Sequence, residues 1–145
     1  MRTRRAVIVM LLVAAFDNAM AESYPITRPI NDGTWSYKFV RFFEYGTEMG
    51  KGKVAVKKEG SKFVAPFRSD KNVSFELHFW ANESGNWRDV VGYVDRLGTP
   101  EWHAPITGQA MIVKLTDNSC RQEVVVATQD ELKSTFYIDR PAACP

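Results

Sequence analysis

The stretch Lys53-Val54-Ala55-Val56-Lys57-Lys58-Glu59-Gly60-Ser61-Lys62-Phe63-Val64-Ala65-Pro66-Phe67 decides the fold class. Val54 and Val56 fall on one parity, Phe63, Ala65 and Phe67 on another, and Lys58-Glu59-Gly60-Ser61 between them is a turn former, so the stretch reads as a β-hairpin. Successive side chains of a strand point to opposite faces, and here one face is apolar on both arms. The same alternation recurs downstream. Val73, Phe75, Leu77 and Phe79 alternate with Ser74, Glu76, His78 and Trp80, and Met111, Val113 and Leu115 alternate with Ala110, Ile112 and Lys114. Asp117-Asn118-Ser119 then turns the chain into Arg121 to Thr128, and Phe136 and Ile138 share a face within Ser134 to Asp139, before Pro141 ends the pattern.

Upstream, Asn31-Asp32-Gly33 leads into Trp35, Tyr37, Phe39 and Phe43 on one parity, with a break at Arg41 and Phe42 that suggests a bulge or a second buried face. Between Trp87 and Leu97 two readings stay open. Trp87, Val90, Val91, Val94 and Leu97 have the spacing of one helix face, with Ser84 or Asn86 as N-cap and Gly98 as C-cap, whereas three valines and Gly92 favour a strand. The expected class is therefore all-β, a small antiparallel β-barrel or β-sandwich of about 7–8 strands with or without one short helix near residues 87–97. Gly33-Thr34-Trp35 resembles the G-x-W signature that opens lipocalins, up-and-down barrels that hold small apolar ligands. The resemblance spans three residues and implies a barrel over a sandwich.

Arg2, Arg4 and Arg5 precede the apolar run Ala6 to Phe16, and Ala19-Met20-Ala21 is an A-x-A cleavage signal. Residues 1–21 are thus expected to be a signal peptide and 22–145 a single β-domain, since no repeat, low-complexity tract or linker divides the rest. A membrane span needs about 20 apolar residues, so no stable anchor is expected after cleavage. The destination is the periplasm in a bacterium and the secreted space otherwise. Removing the leader leaves 16 basic and 16 acidic residues, so no cationic excess invites nucleic acid. Five lysines between Lys51 and Lys62 read as a solvated hairpin. Asn72-Val73-Ser74 and Asn82-Glu83-Ser84 are glycosylation sequons, relevant only to a eukaryotic secretory route. Cys120 and Cys144, the only two cysteines, are expected to form a disulfide in an oxidising compartment, which removes both from nucleophilic or metal-ligating duty.

Chemistry is sparse. There are two histidines, His78 and His103, and no Gly-x-Ser-x-Gly elbow or phosphate-cradling glycine loop. Glu101 and His103, with His78 and Asp89 or Asp95, are the residues available to a metal, yet no spacing matches a ligand motif, and no cofactor is expected. His78 reads as a surface or partly packed ring. The most site-like cluster is Glu101-Trp102-His103, in a segment bounded by Pro100 and Pro105. Together with Trp80 and Trp87 these residues form the candidate binding surface of a loop-rich region, 81–108. The functional expectation is a non-catalytic exported binding protein that recognises a protein partner, as an inhibitor, immunity or assembly factor. A lipocalin-like barrel taking a small apolar ligand or glycan is the alternative, and an enzyme resting on Glu101 and His103 a third reading.

Overall fold

In the computed structural model, the described residues are 23–26, 30–82, 87–128 and 134–144, and every regular element among them is a β-strand. The expected leader, the N-cap residues Ser84 and Asn86 and most of the second sequon lie outside these residues. The strands are β1 (Ser23–Pro25), β2 (Gly33–Phe43), β3 (Gly46–Glu59), β4 (Lys62–Arg68), β5 (Ser74–Ala81), β6 (Val90–Arg96), β7 (His103–Thr116), β8 (Ser119–Thr128) and β9 (Ser134–Ala142). Each strand from β2 onward pairs antiparallel with the next, and β9 returns to β2 through Ser134↔Arg41 to Asp139↔Ser36, so eight strands close an up-and-down barrel. β1 is a ninth strand laid beside Met111–Val113 of β7. Closure removes the free edges that an open sheet would expose.

The alternation seen in the sequence decides which side is inside. Trp35, Phe39, Val54, Val56, Phe63, Phe67, Phe75, Leu77, Phe79, Val94, Val124, Val126, Phe136 and Ile138 are all buried. Lys38, Lys51, Lys53 and Lys57 stay exposed on outward positions. Apolar inside and charged outside is the reverse of a membrane-spanning barrel, whose outer band is apolar. Phe39, Phe67, Phe75 and Phe136 fill the middle with ring centroids 5.0–5.6 Å apart, and Phe63 stacks on Phe79 at 5.3 Å. Trp87 meets Phe63 edge-on at one end, and Trp102 meets Phe75 edge-on at the other.

One open reading is settled and two expectations are corrected. No helix forms at 87–97, because Val90, Gly92, Val94 and Arg96 take the inward positions of β6 opposite Ala81, Phe79, Leu77 and Phe75. The helical spacing arose from Trp87 and Leu97, which lie in the turns that flank the strand. There is no bulge at Arg41 and Phe42 either. Register runs unbroken from Gly33↔Val56 to Phe43↔Gly46, and Arg41 points inward because Glu48, its neighbour on β3, is there to meet it at 2.5 Å. Pro105 belongs to β7, so the two-proline loop ends at Trp102.

Cys120 and Cys144 are bonded, as expected, and tie the chain beyond β9 to the start of β8. A disulfide of this kind fits an oxidising environment. Arg140 of β9 closes the same region by donating to the carbonyls of Asn31 and Asp32 at 2.8 and 2.9 Å.

Candidate functional site

The outward face of β5, β6 and β7 gathers several chemically versatile side chains. Register places Glu76 opposite Asp95 and Asp95 opposite His103, with His78 opposite Tyr93 in the next row and Trp80 opposite Val91 beyond it. The chain's two histidines, 25 residues apart in sequence, thereby flank one tyrosine. His78 stacks on Tyr93 at 4.5 Å with planes 8° apart, and His103 lies 4.6 Å from the same ring at 35°. Trp80 meets Tyr93 edge-on at 6.2 Å, and the Lys62 ammonium sits 4.8 Å above the Trp80 ring.

Each imidazole has its own carboxylate. His78 Nε2 donates to Glu76 Oε1 at 2.7 Å, and His103 Nδ1 donates to Asp95 Oδ1 at 2.6 Å. An ionised carboxylate only accepts, so these bonds fix which ring nitrogen carries hydrogen. Glu76 and Asp95 face each other directly, an arrangement of like charges that opposes pairing until each carboxylate is drawn to its histidine.

Gly92 makes the stack geometrically accessible. Its φ is +151°, and a Cβ there would lie 1.9 Å from the His78 carbonyl oxygen. Only glycine lets β6 approach β5 this closely next to the point where Tyr93 and His78 meet.

The sequence candidates separate. Trp80 and His103 join the outward patch. Trp87 and Trp102 turn inward as half-buried plugs against Phe63 and Phe75, with the Arg41 guanidinium 5.0 Å from the Trp102 ring. Glu101 is exposed in the turn before β7 and does not share a site with His103, whose carboxylate partner is Asp95. Glu76, His78, Tyr93 and Asp95 complete the patch and were not among the residues singled out for binding. Outward parity within β5 gave Glu76, His78 and Trp80 one face. Register across β6 was needed to find the rest, and that strand was the ambiguous one.

Among the described residues neither imidazole bonds a hydroxyl or thiol, so no nucleophile–base pair is assembled. No group of three or more His, Cys, Asp or Glu is placed to hold a metal ion among them. What the patch offers is an aromatic surface of His78, Tyr93, His103 and Trp80 with charge at its margin.

Two further polar clusters are structural. Inside the barrel, Glu48 bonds Arg41 and lies 3.7 Å from Arg96, while Arg41 also packs 5.1 Å from the Phe43 ring. On the outside of β8 and β9, Glu123 is buried although it faces outward, because Arg121 and Tyr137 cover it. Burial, reinforced by the hydrogen bond it donates to Glu123 and by that residue's charge, raises the Tyr137 phenol above its ordinary pKa. Burial also raises Asp139, directly opposite Glu123, with Glu123 adding to the rise and Arg121 opposing it. Comparison with family models and with curated proteins finds no match to this chain.

Proposed function

We propose that the protein is a non-catalytic binding module of an exported, oxidising compartment and that the outer β5–β7 face contacts a protein partner. The observation that carries this reading is the His78–Tyr93–His103 stack with Trp80 beside it, held rigidly on three paired strands. Side chains fixed on a closed barrel lose little further freedom on binding, so a contact made there costs less than one made by a floppy loop. The paired carboxylates at the margin add orientation, since charge at a rim steers a partner more than it adds affinity.

The test is affinity capture from envelope extract of the source cells, comparing wild type with a Trp80→Ala/His103→Ala variant. Loss of a specific band from the variant supports the assignment, and identical recovery of every band removes this face from consideration. For the alternative, a barrel that takes a small ligand or glycan, the aromatic filling of the described interior argues against an internal site. A cleft outside the barrel favours a ligand of a different placement.

A further inference from the structure

The wall of the barrel is weakest between β3 and β4. β3 pairs with β2 all the way from Gly46 to Val56, yet with β4 only at Lys57↔Val64, Lys58↔Phe63 and Glu59↔Lys62. The ladder stops for local reasons. Pro66 has no N–H to give, and both backbone groups of Arg68 are taken by one side chain. The Tyr37 hydroxyl donates to the Arg68 carbonyl at 2.9 Å and accepts from the Arg68 N–H at 3.2 Å. The Tyr37 ring reaches across because its neighbour on β3 is Gly52, where a Cβ would sit 3.4 Å from the ring. Past this point the Asp70 N–H donates to the Met49 carbonyl at 2.8 Å, which rejoins the two segments.

An open cleft of about 540 Å³ lies at this seam. That volume falls within the roughly 300–1,000 Å³ of ordinary small-molecule sites. Val40 and Met49, over the edge of Phe39, supply apolar lining, and Lys51 and Arg68 supply cations, against Asp70 as the one acid in the lining, while the Lys38 ammonium lies 5.5 Å over the Tyr137 ring of β9. Met49 is 48% exposed, and Phe42 and Tyr45 at the neighbouring hairpin tip are 53% and 87% exposed, so apolar surface continues out of the cleft. Methionine adapts readily to the shape of an apolar guest.

Apolar surface flanked by two cations selects an occupant with an apolar chain and a negative head. We infer that the cleft between the β2–β3 hairpin and Arg68–Asp70 binds a single-chain anionic amphiphile of the fatty-acid type, its chain on Val40 and Met49 and its carboxylate between Lys51 and Arg68. This site is outside the barrel and separate from the β5–β7 face, so either assignment can fail without the other.

The experiment is an amide NMR titration of the disulfide-intact protein with sodium dodecanoate below its micelle concentration, with dodecyltrimethylammonium as the charge control. Dodecanoate is expected to shift Val40, Met49, Lys51 and Arg68 saturably while the cation leaves them in place. Lys51→Glu, an exposed change, should weaken dodecanoate by about tenfold, as expected when one surface-strength attraction becomes a repulsion. Met49→Ala should weaken it without altering its charge preference. The inference is overturned by a non-saturable response, by equal response to both amphiphiles, or by shifts centred on interior residues such as Leu77 and Val126. Binding to phosphatidylglycerol vesicles without any response to dodecanoate would also overturn it, in favour of a membrane surface.

Discussion

Arg41 and Glu48 face each other inside the barrel, 5% and 6% exposed. Removing one member of a buried ion pair strands the other charge and costs about 3–5 kcal/mol, whereas replacing both with apolar groups is often near neutral. The structure makes the two single changes unequal. Arg41→Met leaves Glu48 with Arg96 at 3.7 Å, a half-exposed cation that still answers the charge. Glu48→Gln leaves Arg41 with no carboxylate, and the Arg41 Nε is already without a hydrogen-bond partner among the described residues. Glu48→Gln is therefore expected to cost about 4 kcal/mol and Arg41→Met about 2, with Arg41→Met/Glu48→Leu within about 1 kcal/mol of wild type. At roughly 4 °C per kcal/mol for a domain of this size, Glu48→Gln should lower Tm by about 15 °C. Urea denaturation followed by tryptophan fluorescence measures wild type and the three variants. A double variant less stable than either single one, or a larger cost for Arg41→Met than for Glu48→Gln, would refute the reasoning.

Further outcomes follow from other contacts. Reducing the Cys120–Cys144 bond, which spans 24 positions, should lower stability by about 3 kcal/mol, read as the drop in urea midpoint with and without reductant. Tyr37→Phe strips the partner from both exposed backbone groups of Arg68 and should cost about 0.5–1.5 kcal/mol in the same assay, with faster hydrogen exchange at the Arg68 amide. Gly92→Ala should destabilise the barrel and separate His78 from Tyr93, visible as loss of ring-current shifts on the histidine protons. Asp139 has its folded pKa raised, so the folded state disfavours the charged form. Asp139→Asn should therefore stabilise the protein at neutral pH, and the gain should vanish as pH falls below the unfolded carboxylate range. Tyr137 has a raised pKa too, so its stabilising contact is complete below the ordinary tyrosine range and is lost only as pH climbs through the higher folded value. Comparing alkaline unfolding of wild type and Tyr137→Phe checks the sign.

Much of the barrel was legible because period two survives in most strands. Phe63, Ala65 and Phe67, or Phe75, Leu77 and Phe79, announce an inner face without any tertiary knowledge. Legibility failed where an inward position is not apolar. Arg41 broke the pattern of β2 because its partner Glu48 lies across the hairpin, and Gly46, Gly50 and Gly52 leave the first half of β3 without an apolar alternation. Gly50 is required there by the approach of the Arg68 carbonyl, 2.3 Å from where its Cβ would be. The same limit governs the candidate site. Trp102 and His103 are adjacent in sequence and were read as one cluster, but at the mouth of a strand neighbouring residues diverge, one into the core and one to the surface. The patch that does form is made by cross-strand register, which pairs His103 with Asp95 and His78 with Tyr93. Neither pairing is visible until the strands of β5, β6 and β7 are aligned.

The most direct test of the recognition surface is photo-crosslinking in the source cells, with benzoylphenylalanine placed at Thr107, exposed beside Val91 and Trp80, and at Leu115 as a control. The expected result is one discrete protein adduct from Thr107 that disappears when Tyr93→Ala is added and is absent from Leu115. No adduct at Thr107, or the same adduct from both positions regardless of Tyr93, would contradict the assignment of the β5–β7 face.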